Sequence, residues 1–305
     1  MSKQLEILVG ISGSGKSTYA HKMWENNPND IIIVNRDKIR ELLFGYTEHQ
    51  STSYYLRKDL NSLEKQVSHY EELLIKEGLS KNKHVIVDAT HLKLDYIHRY
   101  RRFNVPTKLT WFDIELNKAV DRISRRPRHV DITIILSQYD KYKNLKEKFN
   151  VNPKEFEFTV NTLDNDSSKP RCVIFDIDGT LAHHTERNIF EWDKVDTDLV
   201  DVAVGSLYEE LCKIPNLTII ICSGRDSICL EQTTRWFDNN FTGGFDFIYM
   251  RNNKDNRPDW QVKYEMWKDI CKNYYISYII DDRCQVVDYA RSLGLKVFQV
   301  EYNNF

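Results

Sequence analysis

Two short stretches of the 305-residue chain hold the residues best suited to move a phosphoryl group. The first, GISGSGKSTYA from Gly10 to Ala20, has Gly10, Gly15, Lys16 and Ser17 at the spacing of a phosphate-binding loop. Glycines at 10, 13 and 15 let the backbone bend until successive amide hydrogens face one anion, and a helix starting near Lys16 adds its positive end. Gly13, Ser14, Gly15, Lys16, Ser17 and Thr18 are therefore the candidate nucleotide-phosphate residues, with Lys16 on the outer phosphates and Ser17 on a magnesium ion. A glycine turn that merely joins a strand to a helix is the alternative.

The second stretch, Val173 to Thr180, reads VIFDIDGT. An apolar strand delivers Asp176 to a sheet edge, and Asp178 follows in the exit loop. One carboxylate can attack phosphorus to make an aspartyl phosphate. The other can protonate the leaving alkoxide and then deprotonate water.

Three further elements converge on the first stretch. The second strand ends in Asn35-Arg36-Asp37, and a carboxylate at Asp37 could accept the proton of an attacking hydroxyl or instead cap the next helix. Arg40, three residues on, shares its helical face and could clamp an acceptor phosphate or pair with a carboxylate. The third strand, His84 to Asp88, is followed by Ala89 and Thr90, so Asp88 either orients a neighbour or metal-bound water, or is a turn residue. Arg122, Arg125, Arg126 and Arg128, with Pro127 as a stop, suit a lid over a triphosphate as well as a basic helix end.

These residues need elements to hold them. In the first half, strand-like runs at 5–9, 31–35, 85–88 and 109–114 alternate with amphipathic helical patterns around 16–25, 53–77, 93–103 and 131–149. That order predicts parallel strands with helices on both faces, and ligands at the C-terminal strand ends. The polar stretch NTLDNDSSKP, Asn161 to Pro170, reads as a connection. A second strand-and-helix series follows, with strands expected at Cys172–Asp176, Leu217–Cys222, Phe247–Met250, Tyr278–Asp281 and Val297–Val300. The fold class is α/β with two parallel-sheet domains: 1–152, a connecting segment 153–170, and 171–305.

The net charge of −2 hides an imbalance: residues 1–150 carry 26 basic against 19 acidic side chains, residues 151–305 carry 17 against 26. A basic half fits an anionic partner such as nucleic acid or an unremarkable solvated surface; an acidic half fits carboxylates gathered round a metal. Six cysteines show no paired metal spacing, which predicts reduced thiols, no disulfide and no zinc. No run approaches a membrane span and the start MSKQLE is no secretory signal, so a cytoplasmic protein is expected.

The second stretch resembles the haloacid-dehalogenase-like phosphatases. Ser223 resembles the hydroxyl that holds the phosphoryl oxygen, Lys263 the charge-neutralising lysine, and Asp281 with Asp282 the acidic pair completing a magnesium site. With the phosphate loop, NRD at 35–37, Arg40, DAT at 88–90, RISRR, FDIDGTL, CSGR, MRNNKDNRPDWQVK and IDDRCQVV, the whole chain resembles the bacteriophage polynucleotide kinase-phosphatase family of end-healing enzymes.

The resemblance implies a P-loop kinase domain that moves the γ-phosphate of ATP to a 5′-hydroxyl of RNA or DNA. Asp37 would be the general base, Arg40 and the Asp88–Thr90 stretch would meet the acceptor, and Lys16, Ser17, Arg122 and Arg126 would bind the ATP phosphates. It implies a C-terminal phosphatase acting on 3′-phosphates and 2′,3′-cyclic phosphates, with Asp176 as nucleophile and Asp178 as acid and base. Arg187, Ser223, Gly224, Arg225, Asp259 and Lys263 would serve the substrate, and Asp176, Asp178, Asp281 and Asp282 would hold Mg2+. A separate ligase would take the products, and a homo-oligomer, a tetramer among the forms expected, would be the working state. The segment Pro127 to Asp131 is more basic than the family pattern. A bifunctional kinase and phosphatase acting on a small nucleotide or phosphorylated metabolite is the competing reading.

Overall fold

In the computed structural model, which describes residues 3–46, 54–125, 130–184, 187–188 and 191–303, the apolar run after the N-terminus forms β1 (Gln4–Val9). Its alternation sends Leu5, Ile7 and Val9 into one core and Leu8 into the core on the other face. β1 pairs in parallel with β3 (His84–Asp88) and β4 (Thr107–Trp111), while β2 (Ile31–Asn35) lies outside β3, giving the order β2-β3-β1-β4. A central strand buried on both faces explains the nearly unbroken apolar sequence.

Parallel strands require crossovers, and helices supply them. They are α1 (Lys16–Asn26), α2 (Arg36–Phe44), α3 (Leu60–Ser80), α4 (Leu94–His98), α5 (Leu116–Ser124) and α6 (Ile132–Val151). The helix expected over 93–103 changes to a 3-10 turn at Arg99–Phe103 and stops where Asn104 takes a left-handed φ of 48°. β4 pairs over 107–111 rather than 109–114, because its neighbour β1 ends at Val9 opposite Trp111 and leaves no ladder beyond.

The chain divides into two compact units, Met1–Val160 and Asn161–Phe305. The stretch expected to connect them is shared out. Pro153–Phe156 form a 3-10 turn that buries Phe156 against Trp111 and Phe149, whereas Asn165 bonds the backbone of Ile276 through both its side-chain oxygen and nitrogen.

The second unit holds a parallel sheet of order β11-β10-β5-β8-β9, from β5 (Arg171–Phe175), β8 (Thr218–Asp226), β9 (Phe247–Arg251), β10 (Tyr275–Arg283) and β11 (Val297–Asn303). A small antiparallel pair, β6 (Ala182–His183) and β7 (Leu199–Val200), follows the exit of β5. Helices α7 (Val202–Cys212), α8 (Leu230–Asn240), α9 (Asp259–Ile270) and α10 (Cys284–Ser292) supply the packing partners. Again the alternation divides one strand between two cores, Cys172 and Ile174 on one side, Val173 and Phe175 on the other.

β8 and β10 outrun the apolar runs that announced them. Ser223, Gly224 and Arg225 sit within β8, and Asp281 and Asp282 within β10, where the pairing register shifts between Ser223 and Asp226 and between Asp281 and Arg283. Such irregularities re-aim side chains at a strand end. The six cysteines are free thiols, five of them buried. Among the described residues no helix is long and apolar enough to cross a membrane.

Candidate active sites

The first unit gathers its polar residues at the C-terminal ends of β1, β2 and β3. The loop after β1 turns through Gly13 and Gly15 at φ of 80° and 100°, and a Cβ on Gly13 would lie 2.9 Å from the Ala119 carbonyl oxygen. Lys16 is buried inside the loop, donating from Nζ to the Ile11 carbonyl at 2.7 Å and to Ser14 Oγ at 3.4 Å. Ser17 and Thr18 are exposed at the start of α1. Arg122 of α5 donates to the Gly13 carbonyl at 3.3 Å, and Gln138 of α6 accepts from the Ser12 amide at 2.8 Å. Arg126 lies outside the described residues, as do Pro127, Arg128 and His129.

Asn35, not Asp37, caps α2: its side-chain oxygen accepts from the Lys38 amide at 3.0 Å. Its amide nitrogen donates to Asp88 Oδ2 at 2.8 Å, so Asp88 orients the start of the helix that carries Asp37. Asp37 is thereby left for other work, half exposed and paired with Arg40 NH1 at 2.8 Å. Arg40 in turn makes a two-pronged contact with Glu64 of α3 at 2.8 and 2.9 Å. Glu64 also takes Arg36 and the Tyr54 hydroxyl. Burial pushes the Glu64 carboxyl upward, but the hydrogen bonds and charge of Arg40, with Arg36 and Tyr54, hold it down at about 2.

Behind this pair, buried Glu71 binds Arg36, Arg99 and the Tyr100 hydroxyl. His91 bridges the Leu8 carbonyl and Tyr100, and burial keeps its pKa down at about 4. A cavity of about 830 Å³ is lined by Lys16, Ser17, Asp37, Arg40, Asp88 and Thr90 among others. A shallower one of about 490 Å³, lined by Thr18, Lys22, Arg122 and Arg125, shares Gly13 and Gly15 with it. The larger cavity thus brings the loop's Lys16 and Ser17 and the carboxylate of Asp37 around one space.

The second unit buries its charge more deeply. Asp176 leaves β5 with its amide bonded to the Ile280 carbonyl at 3.0 Å, and its carboxylate faces Asp281 and Asp282 of β10. Ligand atoms of the three lie within 4.8 Å of one another. Gly179 permits this closeness, since at its φ of 81° a Cβ would run into Asp282 Oδ2. Lys263 of α9 reaches Asp176 at 2.9 Å, Asp281 at 2.7 Å and Asp259 at 3.7 Å. Burial pushes the Asp176 carboxyl up, Lys263 opposes this, and Asp281, Asp282 and Asp259 reinforce it. Asp176 and Asp281 share the Lys263 ammonium, Asp282 lies beside them, and the hard oxygen donors of the three fit a divalent cation of the Mg2+ kind.

Asp178 stands outside that trio. Arg225 donates to its two oxygens at 2.9 and 2.7 Å, and Arg187 approaches at 3.3 Å. Both arginines converge on Asp198, Arg187 at 2.6 and 2.7 Å and Arg225 at 2.6 Å. Asp198 is almost wholly buried, and its carbonyl accepts from the Trp236 indole at 2.7 Å. Asp259 holds Arg251, Arg283 and Lys263, and Arg251 also binds the Gly224 carbonyl. Ser223 is buried beside this group, accepting from the Arg225 amide at 3.2 Å. Arg187, Arg225 and Asp259 are thus each tied to charged side chains of the site.

Residues 170–305 match the family described as the polynucleotide kinase PNKP phosphatase domain, and residues 5–147 match the AAA domain family. The chain joins an AAA-type unit to a PNKP-type phosphatase unit. This is the pairing of phosphate-loop and phosphatase domains expected from the motifs. Over 316 aligned residues the chain is 28% identical to a protein of Autographa californica nuclear polyhedrosis virus described as a bifunctional polynucleotide kinase/RNA ligase. The alignment covers 98% of this chain and 42% of that relative, so the chain spans less than half of the relative's length. Among solved structures, a chain of the Pnkp1/Rnl/Hen1 RNA repair complex is 28% identical, with 100% of this chain and 97% of that one covered and a TM-score of 0.46. A gluconokinase from Sinorhizobium meliloti is 18% identical over 46% of this chain and 74% of its own, with a TM-score of 0.31.

The sequence alone passed over Glu64, Glu71 and Asp198. The first two lie on an amphipathic helix whose acids look like a solvated face, and Asp198 lies in the polar run DKVDTD with no motif around it.

Proposed function

We propose that the chain heals broken nucleic acid ends, phosphorylating 5′-hydroxyls and removing 3′-phosphates of RNA or DNA. What supports this is the coexistence of a phosphate-loop cavity in the first unit and a buried carboxylate cluster in the second, whose residues 170–305 match the PNKP phosphatase domain.

In the kinase, ATP is the donor. Its phosphates occupy the loop from Gly13 to Thr18, with Lys16 on the outer phosphates and Arg122 and Arg126 closing over them. Arg40, anchored by Glu64, orients Asp37 and meets the acceptor's own phosphate. Asp37 then takes the proton of the attacking 5′-hydroxyl.

In the phosphatase, the Asp176 carboxylate attacks the 3′-phosphate, the P–O bond to the sugar breaks, and an aspartyl phosphate forms. Asp178 gives its proton to the departing 3′-oxygen and then takes one from the water that hydrolyses the aspartyl phosphate. Ser223 and Lys263 hold the phosphoryl oxygens. Asp176, Asp281 and Asp282 would hold Mg2+, which supplies positive charge against the phosphate. The expected substrate range includes 2′,3′-cyclic phosphates.

A ligase is the partner that can use a 5′-phosphate beside a 3′-hydroxyl. The free thiols fit the reducing cytoplasm, of a host cell for a phage-encoded protein, and sedimentation tests the homo-oligomer that the family likeness implies. The deciding experiment incubates the protein with ATP, Mg2+ and an RNA oligonucleotide bearing a 5′-hydroxyl and a 3′-phosphate, followed by mass spectrometry. Mass gained at the first end and lost at the second is the expected result. Unchanged ends, with nucleosides or small phosphate esters reacting instead, would reassign both sites to small-molecule chemistry.

A further inference from the structure

The larger cavity of the first unit has two half-wet aromatic rings on its wall, Tyr96 at 49% exposure and Tyr55 at 46%. Neither ring is sunk in a core. Each instead lies against a cation. Lys93 Nζ is 5.4 Å from the Tyr96 ring centre and the Arg99 guanidinium 5.9 Å, and the Arg40 guanidinium is 5.7 Å from the Tyr55 ring.

Both rings are tied to the general base and not to the phosphate loop. Tyr55 packs edge-on against buried Tyr54, whose hydroxyl binds Glu64, and Glu64 holds the Arg40 that pairs with Asp37. Tyr96 is joined through Arg99 to Glu71, which holds Arg36, the residue before Asp37. Two charge-anchored frames thus place one exposed ring each on the acceptor side of the cavity.

A half-exposed ring beside a cation can serve as a nucleobase platform: the base covers the exposed part of the ring and the backbone phosphate meets the cation. We propose that Tyr96 and Tyr55 stack on bases of the acceptor strand, with Lys93, Arg99 and Arg40 serving its phosphates. The inference rests on the kinase reading above and deepens it. Two platforms on separate frames suit an acceptor of more than one nucleotide, so they set a preference for polynucleotide ends over mononucleosides.

The test combines Tyr96→Ala and Tyr96→Phe, and the same pair at Tyr55, with 5′-hydroxyl oligonucleotides that carry either normal bases or an abasic nucleotide at the first or second position. Wild-type protein should lose about tenfold in kcat/KM when the base at a platform is missing, seen mainly in KM. The alanine variant should show the same loss with the normal strand and no further loss with the abasic one. Phenylalanine should behave as wild type, because the π face is what acts. A KM for the normal strand unchanged by both alanine variants, or an abasic penalty undiminished in them, overturns the inference while leaving the kinase intact. If wild-type protein phosphorylates no 5′-hydroxyl oligonucleotide, the kinase reading itself falls and takes the platforms with it.

Discussion

The two sites, which on the proposed function handle the same group, have opposite architectures. In the phosphatase unit Lys263, Asp281 and Asp282 are each 1% exposed and Arg225 fully buried, so the reacting carboxylate Asp176 meets a charge field fixed in advance. In the kinase unit Asp37 keeps 47% of its side-chain surface open, on a cavity large enough for more than one partner. The difference follows from what each reaction must hold. A phosphatase that makes a covalent intermediate needs one small anion placed against one nucleophile, and burial strengthens every interaction that places it. A kinase must admit two large substrates and exclude water only when both are in, so on the proposed reading Asp37 stays open until the substrates cover it.

The comparison breaks most sharply at the buried nucleophile. Asp176→Asn should lower phosphatase turnover about 10⁴-fold or more while kinase turnover stays within about twofold, because the amide cannot attack phosphorus and the other unit is separate. Next come Asp37→Ala and Lys16→Ala, each expected to lower kinase kcat by roughly 10³-fold and to spare the phosphatase. Paired assays on one doubly broken oligonucleotide read both. A folded variant that lost both activities would show that the sites are not independent.

Legibility in the sequence divides along the same line. The strands were readable because parallel strands buried on both faces are nearly continuous apolar runs, and β1, β2, β3 and β5 fall within a residue or two of those runs. The residues that attack or bind stand directly after such runs, which is why Asp37, Asp88 and Asp176 could be named. The residues that hold them could not. Glu64 meets Arg40 across 24 positions, and Asp198 meets Arg225 across 27, through contacts that only tertiary packing creates. Periodicity is equally silent on the register shifts that leave Ser223, Arg225, Asp281 and Asp282 inside strands instead of after them.

Asp198 sharpens the comparison at middle strength. It is the counter-charge for both Arg187 and Arg225, and those two arginines fix the carboxylate of Asp178. Asp198→Asn keeps the shape but leaves two buried guanidiniums with one carboxylate between them. Phosphatase kcat should fall roughly 10²-fold, with KM changed much less. A KM effect alone would mean that Asp198 serves substrate binding.

The smallest effects are on stability, and there the two units should respond to acid with opposite signs when metal is kept away by a chelator. In the kinase unit His91 sits at about 4 against an ordinary 6.5, and Glu64 at about 2 against 4.5. For both, the unfolded chain binds a proton that the folded one refuses, so stability is lost as pH falls, over 6.5 to 4 for His91 and over 4.5 to 2 for Glu64. In the phosphatase unit Asp176 and Asp281 are raised above 3.8 by burial, against the pull of Lys263 and with the charges of Asp259 and Asp282 adding to it, so the folded form keeps protons that the unfolded chain releases. The part of that unit's stability that these two carboxyls carry is lost as pH rises above 3.8, unless Mg2+ restores it. Hydrogen exchange followed separately over residues 4–125 and 171–303, from pH 7 to pH 5, should show protection falling in the first stretch and holding or rising in the second. Glu64→Gln should cost the first unit roughly 1 kcal/mol at neutral pH, a figure reduced by the solvent that reaches the pair, and should flatten its response below pH 4.5. Protection that fell in both stretches together would remove the proposed contrast between a site whose charges are matched without metal and one whose charges wait for it.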